Sequence, residues 1–490
     1  MGIINVLEPV IVRMPSVKRP KKHVPFRKKL YWTLGVLVLY FALTNVTLYG
    51  VNVQGDLFGQ FRSVLAGAQG SILHLGIGPI VTASIVLQLL DGSDMLPIDT
   101  NEPRGQALYQ GLQKLLVVIM AVLTAAPMVA SGFLQPATGM GLPPNIMAFV
   151  VFLQVALGGV LILYLDEIIS QWGVGSGVGL FIIAGISQQI IGGLFDWSMT
   201  GGAAGIADLS TGLLFRWYQI FSGGYDPGFA LTSGDGFWFL MTYGGQILFV
   251  LTTILIFAVV VYAESVRVEV PLSHSRVKGA RGRYPVKLIY ASVLPLIFVR
   301  AIQANIQMVG QIVYSQGFQP AWFAVYEQGQ ATSGLMYYLT PINSPYDWMW
   351  FLPIGPDQAT WQILLRLGID FLVLTIGGAI FAVFWVETAD MGPDSVAQNI
   401  QQSGMQIPGF RQNPAVVEKV MDRYIPQITV MSGILLGVLA VLANVLGTIG
   451  NVTGLGLLLT VSITYKIYEE IAEEQMMEMH PMMRKVFGDE

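Results

Sequence analysis

Residues 71–90 read SILHLGIGPIVTASIVLQLL. The stretch is apolar and about as long as a spanning helix must be, since a ~30 Å hydrocarbon layer takes about 20 residues at ~1.5 Å each. Yet Gly76, Gly78 and Pro79 fall in its first half. Proline gives no amide to the helical ladder and glycine is permissive, so the front of this helix is expected to be broken or bent. Residues 58–70, just before it, are only mildly apolar and include Arg62, Gly67 and Gly70. That piece is too short and too polar to span. Two readings stand on this physics. One is a kinked helix after an ordinary external loop. The other is a re-entrant segment leading into a broken helix, which survives only inside protein or beside a water-filled cavity.

The whole chain makes lipid its solvent. Of 490 residues, 53% are hydrophobic and 11% charged, against about 25% charged in a soluble chain. There is no cysteine, which excludes disulfides, thiolate metal sites, Fe–S clusters and cysteine nucleophiles. The basic N-terminal stretch runs to Lys29 and meets an apolar run too long for a cleavable signal.

We read ten spans, over residues 30–50, 73–90, 112–134, 146–165, 174–194, 237–262, 286–313, 363–386, 425–446 and 452–468. Lysine and arginine orient them. The N-terminal segment 1–29 is basic, as are the loops 264–286 and 387–424; the long loops 196–236 and 315–362 carry acids instead. This pattern expects both termini in the cytoplasm. The expected fold is all-α, divided five plus five about the loop 196–236: a first half 30–195 and a second half 237–468. Inverted repeats are common in transport proteins; here the residues themselves show no repeat. The loop 196–236 is too long for a simple connection and should carry structure of its own. The acidic tail 469–490 reads as a solvated helical end.

Three motifs carry a resemblance. The first is Gly76, Ile77, Gly78, Pro79, then Ala83, Ser84, then Gln88, Leu89, Leu90. The second is YLDEIISQWGVGSGVGLFIIAGI over residues 164–186. The third is ETADMGPDSVAQNIQQSGMQIPGFR over residues 387–411. They resemble the second helix, the junction of helices four and five, and the loop between helices eight and nine of the SecY family, the central subunit of the Sec protein translocon. The likeness covers nearly the whole chain and is closer to archaeal and eukaryotic members than to bacterial ones.

The resemblance implies an hourglass pore between two pseudo-symmetric halves, a passive protein-conducting channel for secretion and for sideways release of hydrophobic segments. It places an aliphatic pore ring at Ile77, Val81, Val178, Ile182, Ile297 and Leu459; an apolar constriction dewets and blocks ions without a charged gate. It makes about 58–71 a plug, with Phe58, Phe61, Val64, Leu65, Ala66, Gly67 and Ala68. It puts a lateral gate at Thr82, Thr124 and Asn305. Thr124 stands where related archaeal chains carry an acid, which removes a charged latch. Arg276, Lys278, Arg281, Arg283 and Arg411 match ribosome-docking loops, and long basic loops suit phosphate-rich RNA; simple positive-inside topology explains the same charges. The implied partners are a one-helix SecE/gamma subunit, a small beta subunit, the ribosome and nascent polypeptides, in the cell membrane. The segment from Arg13 to Lys29 should meet anionic lipid.

No enzyme site or cofactor is read. Gly173, Gly175, Gly177 and Gly179 lack the Lys-Ser/Thr end of a phosphate loop and follow no strand; close packing at a helix start explains them. His23, His74, His274 and His480 make no metal pair. Asp166 and Glu167 lie at a membrane face, not within the bundle where paired acids work. Arg300 and Asp370 are mid-span, where a charge costs ~2.5–3.5 kcal/mol. They should face the interior, paired with each other or with Arg366. The alternative reading is a secondary transporter with that pair in its path, and behind it an intramembrane enzyme.

Overall fold

In the computed structural model residues 72–77 run as consecutive turns, and the helix of the 71–90 stretch begins only at Gly78. Pro79 sits in its first turn, where a missing amide is not missed. Gly76 has φ +54°, a conformation that a Cβ disfavours. The broken backbone is paired sideways: Leu48 donates its amide to the Gly70 carbonyl (2.7 Å) and Ile72 donates to Val46 (2.9 Å). A Cβ at Gly158 would collide with the Ile72 carbonyl, so the neighbouring helix carries a glycine where this backbone passes.

The structure describes residues 9, 11, 14–22, 24–53, 66–68, 70–92, 98, 103–130, 134–136, 143–198, 209–274, 281–327, 330–352, 355–389, 391–402, 405–406 and 414–479. Among these, the helices in chain order are α1 Phe26–Thr44, α2 Gly78–Gly92, α3 Pro103–Ala130, α4 Pro144–Trp172, α5 Gly177–Phe195, α6 Leu213–Phe221 and α7 Gly234–Met241. They continue with α8 Ile247–Ser265, α9 Leu294–Ser315, α10 Leu335–Leu339, α11 Thr360–Thr388, α12 Pro393–Gln402, α13 Pro414–Leu446 and α14 Gly454–Met479. Seven of them, α3, α4, α5, α8, α9, α11 and α13, are long and apolar enough to cross a membrane. The other expected spans fall short for local reasons. α1 opens on Arg27, Lys28 and Lys29, α2 has 15 residues, and the second half of α14 is acidic.

Several expected boundaries move. The first expected span, 30–50, is cut short: its helix stops at Thr44, where the Thr44 hydroxyl and the Asn45 side-chain Nδ2 both donate to the Phe41 carbonyl (2.8 Å each). The span read as 237–262 is two helices, α7 and α8, parted at residues 242–246 with Gln246 at φ +50°. Here the carbonyls are taken by another element. Arg216 of α6 reaches Tyr243 and Gly244 (3.4 Å each), and the Trp217 indole donates to Gly245 (2.6 Å). Arg216 is buried, which pushes its pKa down, and its remaining contacts are the Ser210 and Thr211 carbonyls.

The segment 264–286, read as a loop, is largely a hairpin. After the short antiparallel pair β1 Val51–Val53 and β2 Leu134–Pro136, β3 Arg267–His274 and β4 Arg281–Lys287 pair antiparallel with Arg267 opposite Lys287, and the short strand Met405–Gln406 adds to β3. The strand displaces the start of the next helix, so α9 begins at Leu294 rather than near 286. The segment 196–236 does carry structure of its own, α6.

One buried apolar cluster draws residues from α1–α5, α8, α9, α11, α13 and α14. α3 packs on α2 and α4, and α11 packs on α9 and α13. Across the middle, α5 packs on α14 and on the 449–451 turn, while α2 touches α11.

Candidate functional site

The expected ring residues all belong to, or pack on, the large apolar cluster shared by ten helices. Ile77, Ile182, Ile297 and Leu459 are buried members of the one central cluster, and the half-buried Val81 and Val178 pack against it. All six lie in, or within a residue of, the first two turns of α2, α5, α9 and α14. Two of those helix starts, of α5 and α14, are held by polar groups behind them. Asp166 accepts from the Val178 amide at the head of α5 (2.8 Å). Asn444 accepts from the Gly454 amide at the head of α14 (2.5 Å), and Thr453 accepts from Gly456 (3.2 Å). The Asp166 carboxylate is thus an anchor for α5, and Glu167 beside it pairs with Lys114 (2.6 Å).

Of the plug residues, Phe58, Phe61, Val64 and Leu65 lie outside the described residues. Ala66 is buried in the same cluster as the ring. Its carbonyl accepts from the Tyr40 hydroxyl (2.7 Å), and the Tyr40 ring stacks on Phe181 at 4.9 Å. Gly67 is packed so closely that a Cβ would stand 2.8 Å from the His74 carbonyl. The Ala68 carbonyl accepts from the Ser71 hydroxyl (2.8 Å).

The three residues expected at a lateral gate do not bond one another. Thr82 donates to the Gly78 carbonyl of its own helix (2.9 Å), and Thr124 does the same to Met120 (2.7 Å). Asn305 is exposed on α9. Between the two sides of this seam, α2 and α11 make the contact.

The mid-span charges pair with each other. Arg300 holds Asp370 through two bonds (2.7 and 3.3 Å) and Gln303 through a third (2.7 Å). Gln303 and Gln307 then donate to the Leu339 carbonyl (2.8 and 3.1 Å). Arg366 turns away from Asp370 to the Thr340 and Pro341 carbonyls (2.9 and 2.8 Å), its guanidinium 5.0 Å from the Tyr337 ring centre. The knot ties α9 and α11 to the segment around α10.

On the basic face, Arg276, Lys278 and Arg411 lie outside the described residues. Arg281 and Arg283 sit on β4, opposite Ser273 and Pro271. The acidic tail is more than a solvated end: Glu469 pairs with Arg267 (3.3 Å) and Lys287 (2.8 Å), and Glu474 pairs with Lys29. Among the described residues no cluster of three acids or histidines is placed to hold a metal.

The SecY family profile matches residues 71–468. The chain belongs to the SecY family. A second profile, the plug domain of Sec61p, matches residues 38–70. The SecY of Halobacterium salinarum, a protein translocase subunit, is 62% identical over all of this chain and 99% of its own length. That of Archaeoglobus fulgidus is 48% identical over 100% and 99%. Among solved structures, a protein-conducting channel has a TM-score of 0.76 at 37% identity, covering 97% of this chain and 98% of its own. A SecY structure whose plug domain stabilises the closed state and maintains a membrane seal scores 0.74 at 37% identity, with the same coverage. Sec61 in a canine ribosome–channel complex from the endoplasmic reticulum scores 0.73 at 37% identity, again over 97% and 98%. This SecY-family chain is therefore a multi-pass membrane protein, a translocase subunit with a plug domain: a protein-conducting channel and not an enzyme.

Proposed function

We propose that α1–α5, α8, α9, α11, α13 and α14 are ten transmembrane helices in two halves, 30–195 and 237–468, around an hourglass pore. Its waist is Ile77, Val81, Val178, Ile182, Ile297 and Leu459. The segment about 58–71 is the plug that closes it. The seam where α2 meets α11 is the lateral gate, with Thr82, Thr124 and Asn305 along it. Polypeptides pass through the waist, and hydrophobic segments leave sideways. The energy comes from outside the chain. Both termini face the cytoplasm, across the plasma membrane. There the 264–286 segment, with Arg276, Lys278, Arg281 and Arg283, and the 387–424 segment, with Arg411, dock the ribosome. A SecE/gamma subunit and a beta subunit complete a heterotrimer, and residues 13–29 lie on anionic lipid.

One observation carries this reading: of six aliphatic residues from four separate helix starts, four lie in a single buried cluster and two pack against it, and Ala66 of the plug segment lies in that cluster too. Aliphatic side chains can part around any polypeptide and close again without leaving a broken hydrogen bond. A photo-crosslinking residue at Ile182, probed with a stalled secretory chain, tests it. A cross-link to the nascent chain is the expected result. No cross-link at 182, with efficient translocation and cross-links at other pore positions, would remove Ile182 from the waist.

A further inference from the structure

The helix α6, sequence LLFRWYQIF, has two unlike faces. Leu213, Arg216 and Ile220 are buried. On the other side Leu214, Phe215, Tyr218 and Phe221 are 43%, 41%, 73% and 66% exposed. Positions 214, 218 and 221 follow helical spacing and make one stripe, and no charged residue interrupts it. An exposed apolar face of this kind marks a surface that something covers.

The depth of α6 is set by its neighbours. At its start the Gly212 amide donates to the Asp196 carbonyl (2.7 Å), the residue that ends α5. In its middle the Trp217 indole donates to Gly245 (2.6 Å), two residues before α8 begins. Both α5 and α8 are long and apolar enough to cross a membrane. α6 is therefore held at the level where two spans end. Close by in the chain stand further exposed aromatics: Phe195 at the end of α5 and Trp197 just past it, and Phe237 and Trp238 on α7, the helix before α8. Tryptophan and tyrosine concentrate at the headgroup boundary, where a ring is half apolar and its edge can hydrogen-bond. An amphipathic helix lying in that plane buries its apolar side at the acyl boundary.

We propose that α6 is an interfacial anchor, its Leu214–Tyr218–Phe221 stripe laid into the lipid headgroup boundary of one leaflet. It would hold the segment between α5 and α8 against the bilayer surface. The inference needs only the spans α5 and α8, not the pore assignment.

The chain has no cysteine, so a single thiol can carry an environment-sensitive fluorophore without background. Tyr218→Cys and Phe221→Cys would be labelled in the translocase complex, reconstituted in phosphatidylcholine–phosphatidylglycerol vesicles. Lipids spin-labelled near the headgroup or deep in the acyl chain serve as quenchers. Asp226→Cys on the neighbouring exposed turn is the aqueous reference, and Leu255→Cys, exposed on α8, is the deep reference. The expected result is quenching at 218 and 221 several-fold above that at 226, stronger from shallow than from deep spin labels. Quenching equal to that at 226 would overturn the proposal. So would a blue-shifted label that no lipid quenches, which would mean that a protein covers the face. Should either variant fail to assemble, Leu214→Cys and Phe215→Cys report on the same side.

Discussion

Ile297 and Arg300 stand one turn apart on α9, and they are held in opposite ways. Ile297 lies in the apolar cluster shared by ten helices. Arg300 lies in a buried polar knot, with Asp370, Gln303 and the Leu339 carbonyl joined by short directional bonds. Dispersion contacts are individually weak and non-directional, so the proposed ring, held by them alone, could open and re-form in many shapes. A buried ion pair permits one arrangement, because a partner left alone in low dielectric is costly. The difference separates what must yield from what must stay fixed while it yields.

The sharpest way to break this comparison is Asp370→Ala. It leaves Arg300 without its carboxylate and should destabilise the chain by about 3–5 kcal/mol, read as loss of the folded complex on heating in detergent. Arg300→Met combined with Asp370→Leu should recover most of that loss; independent effects of the two substitutions would refute the pairing. Next comes the plug: removing residues 60–68 should leave insertion intact and make the closed channel leak ions in a flux assay. An unchanged leak would count against the plug. Tyr40→Phe is a finer cut. It keeps the ring stacked on Phe181 and removes only the bond to the Ala66 carbonyl, worth about 1 kcal/mol. A small, measurable rise in the same leak is expected. Glu469→Gln should do least. Its pairs with Arg267 and Lys287 are more than a third exposed on the basic side, so thermal stability should change by no more than about 1 kcal/mol.

Much of this was legible in the residues. Gly76, Gly78 and Pro79 announce the break before α2, and the apolar runs mark each long helix. Arg300 and Asp370 were visible as interior charges, but not the choice between Asp370 and the backbone that Arg366 makes, because the Thr340 and Pro341 carbonyls are distant in the chain. The parting of α7 from α8 left a signal, Gly244, Gly245 and Gln246 within 237–262; what the chain order does not show is that Arg216 and Trp217 arrive from α6 to take the carbonyls at the break. The hairpin did leave a signal, the alternation of Arg267, Val268, Glu269 and Val270, which the charge pattern overshadowed. The acidic tail looked like a solvated end because its partners, Lys29, Arg267 and Lys287, come from two other regions of the chain.

The Glu469 pairs have a mechanical consequence. Leu459 of the proposed ring and Glu469 at the foot of the hairpin belong to one unbroken helix, α14, about 15 Å apart along its axis at ~1.5 Å per residue. A helix of that length behaves as a strut. Load applied to the base of the β3–β4 hairpin is delivered, through a single stiff member, to Leu459 and so to one wall of the proposed constriction.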